Sequence, residues 1–278
     1  MNNQAQGIGP IGVFDSGYGG LTILDAIRKK LPQYDYLYLG DNARAPYGPR
    51  SFNIVYRFTL EAVKYLFDQG CHLVILACNT ASAKALRNIQ QNDLPGIDPT
   101  KRVLGVIRPT VEKIGEISHT GNIGILGTTG TIQSKSYDIE IEKIHPTFKV
   151  FSQSCPLWVP LVENLEAHGD GADYFVHKRI RQLLAKDPDI DALILGCTHY
   201  PLLMDKIQQY LPTGIKVIPQ GDYVATSLQD YLQRHSNMES RISQSGTLRL
   251  LTTEQPEQFN ESATIFLDHP VDAVRITL

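Results

Sequence analysis

Cysteine is scarce in this chain, and nothing in it runs long and apolar. Four cysteines (Cys71, Cys78, Cys155 and Cys197) in 278 residues are too few for a disulfide framework. They are expected as reduced thiols, which points to the cytoplasm. No stretch approaches the roughly 18 apolar residues of a membrane span, so no membrane partner is expected. The start, Met1 to Gly9, is polar and lacks the basic and apolar regions of a secretion signal. Charge of one sign is not in excess either. A net charge of -3 gives no electrostatic reason to expect nucleic acid. Low-complexity tracts and short tandem repeats are missing. So are the spacings of structural zinc: Cys71/His72/Cys78 and Cys197/His199 fit neither C-x2-C nor H-x3-5-H, and no metal is expected.

What remains is an ordinary globular composition, with 42% hydrophobic and 20% charged residues, long enough for one large or two modest domains. Strand-like and helix-like segments alternate almost throughout, which argues for an α/β protein with parallel sheets and right-handed crossovers. Ile11 to Phe14, Tyr36 to Gly40, Leu73 to Ala77, Val103 to Ile107, Asn122 to Gly127, Phe148 to Phe151, Ala192 to Leu195 and Val217-Ile218 read as strands. Helices are expected over Leu21–Leu31, Phe52–Gly70, Ala81–Gln91, Gln133–Lys143, Phe175–Ala185, Leu202–Tyr210 and Tyr223–Arg234. Asn92 to Pro99 reads as a loop. Thr247–Leu251 and Ala263–Leu267 read as edge structure. The chain divides into two similar α/β units facing each other, 1–108 plus 218–278 and 109–217.

Two strands carry the chemistry. His72-Leu73-Val74-Ile75-Leu76-Ala77 leads into Cys78-Asn79-Thr80, and Asp191-Ala192-Leu193-Ile194-Leu195-Gly196 leads into Cys197-Thr198-His199-Tyr200-Pro201. Buried parallel strands read as continuous apolar runs, and ligands bind beyond their carboxyl ends. Two matched thiols facing one pocket suit a reaction that takes a proton from one face of a carbon and returns one to the other. That is cofactor-free racemisation. Asn79 and Thr80 can hold a carboxylate, and His199 can take or stabilise the Cys197 proton.

Other segments complete the candidate site. Asp15-Ser16-Gly17-Tyr18-Gly19-Gly20 misses a dinucleotide fingerprint, because Thr22 stands where the third glycine belongs. Asp15 is instead expected as an acid, a base or an ammonium partner, with Ser16 in the polar lining. Tyr47 and Gly48, in the loop Asp41 to Arg50, can close over a small substrate. Glu163, shortly after the lone Trp158, can back the Cys197–His199 pair. Other readings of these residues stay open: a thiol hydrolase or transferase with a single Cys–His pair, or a non-enzymatic binding protein with the same cleft.

Five segments together resemble the glutamate racemase family: Phe14-Asp15-Ser16-Gly17 with Gly19-Gly20-Leu21, Pro46-Tyr47-Gly48, Ala77-Cys78-Asn79-Thr80-Ala81, Pro160-Leu161-Val162-Glu163, and Gly196-Cys197-Thr198-His199-Tyr200-Pro201. They stand in the family's order and span nearly the whole chain. The resemblance implies two flavodoxin-like domains with the active site in the cleft between them. It implies interconversion of L- and D-glutamate without a cofactor, to supply D-glutamate for bacterial peptidoglycan. A racemase for aspartate or another acidic amino acid is the neighbouring alternative. By analogy Cys78 deprotonates the D-enantiomer, assisted by Asp15. Cys197 deprotonates the L-enantiomer, assisted by His199 and Glu163. Asp15, Ser16, Tyr47, Gly48, Asn79, Thr80, Thr198 and His199 carry over as substrate contacts. A homodimer is left open. Pro49-Arg50 and Val106-Ile107-Arg108-Pro109 depart from the family's usual residues, which bears on loop detail and on effector or dimer contacts.

Overall fold

A computed structural model describes residues 7–267 and 269–278. Most of the polar start read above, residues 1–6, therefore lies outside the described residues. Among the described residues there are ten strands: β1 (Ile11–Asp15), β2 (Tyr36–Gly40), β3 (Leu73–Leu76), β4 (Arg102–Gly105), β5 (Asn122–Gly127), β6 (Lys149–Ser154), β7 (Ala192–Gly196), β8 (Lys216–Ile218), β9 (Leu248–Thr252) and β10 (Ala273–Arg275). They make two sheets, ordered β10-β9-β2-β1-β3-β4 and β6-β5-β7-β8, and every neighbouring pair is parallel.

The strand order β2-β1-β3-β4 is repeated as β6-β5-β7-β8, so β3 and β7, the two cysteine strands, are equivalent. In both sheets the order reverses beside the first strand of the unit, between β1 and β3 and between β5 and β7. Loops there leave in opposite directions and open a crevice at the carboxyl ends. The chain crosses between the sheets twice, after β4 into the helix Ile107–Ile117, and after β8 into the helix Gly221–Arg234.

Strands β1, β2, β3, β5 and β7 are buried along their whole length, as expected of parallel strands covered by helices on both faces. One buried cluster runs from Ile11, Leu21 and Leu24 to Trp158, Leu195, Tyr200 and Val224, so apolar packing is continuous from one sheet to the other. The helix Gly20–Lys30 lies against Gly221–Arg234, where Gly221 lets the backbones close: a Cβ there would stand 2.9 Å from that of Ala26. Among the described residues no helix is long and apolar enough to cross a membrane.

Four segments depart from expectation. Leu248–Thr252 is an interior strand between β2 and β10, and Ala263–Leu267 ends the helix Pro256–Leu267. Phe259, Ala263, Phe266 and Leu267 form its buried stripe, a helical spacing that the short apolar run hides. Asn92–Pro99 is not all loop, because a π turn, Ile89–Asp93, leads into a last helical turn, Leu94–Ile97. Pro95 is tolerated there because first-turn N–H groups have no helical acceptor. The helix expected over Gln133–Lys143 is broken into Thr129–Gln133 and Ser136–Ile144 by Lys135, whose backbone is left-handed (φ 58°).

Ile194, at the centre of β7 and fully buried, packs in a cluster with Ile123, Ile125 and Tyr137. Ile194→Ala should cost about 2–5 kcal/mol of stability, seen as a lower urea midpoint at unchanged slope.

Candidate active site

The two thiols sit at matching positions. Cys78 follows β3 and opens the helix Asn79–Lys84, where its Sγ accepts from the Ala81 N–H at 3.4 Å and lies 3.4 Å from Ser16 Oγ. Cys197 follows β7, with its Sγ 3.9 Å from His199 Nδ1. The other ring nitrogen, Nε2, meets Glu163 Oε1 at 2.9 Å. Glu163 therefore orients the ring that faces Cys197. Both thiols line one small cavity.

Segments from both sheets bound it. The first sheet contributes Ser16 and Gly17 after β1, Tyr47 and Gly48, and Asn79 and Thr80. The second contributes Thr128 after β5, then Glu163, Thr198 and His199. Of the residues expected from sequence, only Asp15 is absent from the lining. It is buried, with Oδ2 accepting from the Gly17 N–H at 2.8 Å and Oδ1 without a hydrogen-bond partner. Cys71 and Cys155 are buried in the cores instead, and do not reach the cavity.

Tyr47 is present but turned. Its hydroxyl donates to the Asp41 carboxylate, which also holds Arg44 Nε at 2.7 Å, so the ring rather than the hydroxyl is available to a ligand. The loop around it is fastened to the second sheet, because the Gly130 N–H donates to Gly48 O at 2.8 Å. The glycine-rich turn after β1 has a steric purpose. A Cβ on Gly19 would lie 2.3 Å from Thr198 Oγ1 and 2.4 Å from His199 Nδ1, and one on Gly20 would lie 2.4 Å from the Asp15 Cβ. Gly19 lets the Thr198-His199 turn approach the first sheet, and Gly20 leaves room for the Asp15 side chain.

The electrostatics divide the thiols. Burial, reinforced by the Asp15 carboxylate, pushes Cys78 up to about 12, so it holds its proton at neutral pH. Burial also raises the Asp15 carboxyl above the ordinary carboxylate range, offset in part by His199. For His199, burial alone would disfavour the cation. Hydrogen bonding and Coulomb attraction from Cys197 and Glu163 outweigh it and raise the imidazole to about 10. A positive charge thus stands beside Cys197 and a carboxylate near Cys78.

Comparison with known proteins decides the family. Residues 21–228 match the family described as Asp/Glu/hydantoin racemase. A glutamate racemase of Dinoroseobacter shibae is 40% identical over 94% of this chain and 97% of its own. A glutamate racemase of Bacillus anthracis has the same fold, with a TM-score of 0.88 and 33% identity over 97% of this chain and 98% of its own. One from Francisella tularensis, solved in complex with D-glutamate, gives 0.84 and 32%, covering 97% of each chain. The chain belongs to the Asp/Glu/hydantoin racemase family.

Sequence reasoning about this racemase-family chain did not single out Thr128. It caps a helix, accepting from the Thr131 N–H at 3.2 Å, but it also lines the cavity. Its hydroxyl lies 2.9 Å from Thr80 Oγ1 and 3.0 Å from Thr131 Oγ1, joining the two sides. The available signal was its position: Thr128 follows β5 as Ser16 follows β1, at the equivalent point of strand reversal.

Folding raises the imidazole pKa, so the charged His199 contributes stability that is full below its ordinary 6.5 and fades as pH rises through about 10. An NMR titration should find this alkaline His199 midpoint, and Glu163→Gln should lower it. A midpoint unmoved by that change would remove Glu163 as a source of the charge. Gly19→Ala should displace the ring. The expected sign is loss of the preference of iodoacetamide at pH 7 for Cys197 over Cys78, read by peptide mass analysis.

Proposed function

We propose that this protein is a glutamate racemase that interconverts L- and D-glutamate by transferring the α-proton between two cysteines, without a cofactor. The observation that carries this reading is the pair of thiols, at equivalent ends of two sheets and lining one cavity, with opposite charges beside them. The two sheets correspond to two domains, about 1–108 plus 218–278 and 109–217, with Ile218 still pairing in the second sheet, and the substrate lies between them. The product serves peptidoglycan synthesis in the cytoplasm.

Inversion needs a base on one face of the α-carbon and an acid on the other. With L-glutamate, the Cys197 thiolate, supported by the His199 imidazolium, removes the α-proton. The electron pair left on the carbon spreads into the α-carboxylate. Cys78, still protonated beside Asp15, delivers its proton to the opposite face and leaves as thiolate. Cys197 now holds the substrate's proton. With D-glutamate the same atoms move in reverse, and Asp15, whose proton affinity is raised by burial, assists Cys78 in reaching the thiolate. Each unit of pKa mismatch between thiol and α-carbon costs about 1.36 kcal/mol. Donors aimed at the carboxylate must therefore stabilise the developing charge, and Ser16, Thr80, Thr128 and Thr198 are groups in the lining that suit this task.

Incubation with either enantiomer in deuterated water, with no cofactor, should abolish optical activity and put deuterium on the α-carbon of the product. Cys78→Ser and Cys197→Ser should each lower racemisation by about 10³-fold or more, while Cys71→Ala and Cys155→Ala leave it within about threefold. Racemisation that survives either of the first two changes would falsify the two-thiol mechanism.

A further inference from the structure

Asn79, next to Cys78, belongs to a closed ring of buried side chains. The Tyr137 hydroxyl donates to Asn79 Oδ1 at 2.7 Å, an Asn79 N–H donates to Gln220 Oε1 at 2.5 Å, and Gln220 Nε2 donates to the Tyr137 oxygen at 2.8 Å. Tyr137 comes from the helix Ser136–Ile144, and Gln220 stands at the crossing where the chain returns to the first sheet.

One main-chain carbonyl fixes the direction of every bond in this ring. Val106 O, at the other crossing, can only accept. It takes the Thr110 hydroxyl at 3.0 Å and faces Gln220 Nε2 at 3.2 Å. Gln220 must therefore turn its nitrogen to this side, where one N–H serves Tyr137 and the other is shared between Val106 O and Thr110 Oγ1, the latter at 3.0 Å. Its oxygen is then left to face Asn79, which has to answer with an N–H and turn its own oxygen to Tyr137. Reversing either amide would set oxygen against oxygen or N–H against N–H. All four side chains, Asn79, Thr110, Tyr137 and Gln220, are 3% exposed or less, so water offers no substitute partner.

Two consequences follow for Asn79. Its oxygen is engaged by Tyr137, away from the cavity it lines. Its second N–H has no protein acceptor among the described residues. We propose that Gln220, with Tyr137, is a positioning residue for racemisation, holding the Asn79 amide so that only an N–H is presented to the substrate, as a donor to its carboxylate. The same Gln220 side chain binds the two chain crossings to each other through Val106 O. One residue thereby joins the two chain crossings and fixes the direction of the Asn79 amide. The substrate group at this point has to be an acceptor, which admits a carboxylate oxygen and excludes an ammonium. The proposal rests on the glutamate reading above.

A double-mutant cycle between Gln220 and Asn79 tests it. Gln220→Ala in the full chain should raise KM for both enantiomers about tenfold, the size expected for losing one oriented donor to a charged group, with kcat changed less than about threefold. In an Asn79→Ala background the same change should move KM less than about twofold, because the group it positions is gone. Tyr137→Phe keeps the buried ring and removes only the hydroxyl, so it serves if Gln220→Ala folds poorly. It should raise KM severalfold, again only when Asn79 is present. Equal KM effects in both backgrounds, or an unchanged KM with lowered kcat and Tm, overturn the positioning role while leaving glutamate racemisation intact. A wild-type protein inactive on glutamate removes the functional reading and this proposal together.

Discussion

A parallel sheet releases every strand at the same edge, and this constraint governs everything that happens at the candidate site. Where the strand order reverses, the departing loops separate and leave room for a ligand. This chain has two such points with the same order, β2-β1-β3-β4 and β6-β5-β7-β8, and a cysteine follows the third strand of each unit. Segments from both edges line one cavity, so the thiols are delivered to it from separate sheets. A single sheet presents one edge to a ligand. Two sheets can present a group to each face of a carbon.

The approach of the two edges depends on small residues and on polar anchors. Gly19 clears the space that Thr198 and His199 occupy, and the Gly130 N–H ties down the loop carrying Tyr47 and Gly48. The charges that accompany the thiols come from different sources. Asp15 is the last residue of its own strand, next to β3. His199 lies in the turn after Cys197 and is held by Glu163 from the helix Trp158–Glu163. Burial magnifies both effects, because charges out of water interact strongly with each other. The outcome is a Cys78 that retains its proton and a Cys197 beside a cation.

Much of this was legible in the sequence because it is local. The apolar runs before Cys78 and Cys197, the Asp15-Ser16 turn and the Thr198-His199 turn each announce themselves within a few residues. Elsewhere local reading failed for definable reasons. Ala263–Leu267 is a short apolar run whose helical stripe begins at Phe259, outside the window that suggested edge structure. Thr128 follows a strand as many helix-capping threonines do, and only the approach of Thr80 from the other sheet reveals its place in the cavity. Gln220 carried no signal at all, since a glutamine between a strand and a helix is ordinary until Val106, Tyr137 and Asn79 surround it.

The amino-acid sequence by itself determined the alternation of strands and helices and the residue types at the strand ends, because these follow from periodicity and from neighbours along the chain, and its five motifs carried the family resemblance. Only the tertiary structure decided which of those residues share a cavity, that Asp15 stands outside its lining, that the Tyr47 hydroxyl is spent on Asp41, and which way the Asn79 amide faces. Each of those depends on atoms far apart in sequence competing for the same space or the same hydrogen bond. Such competition has no local trace.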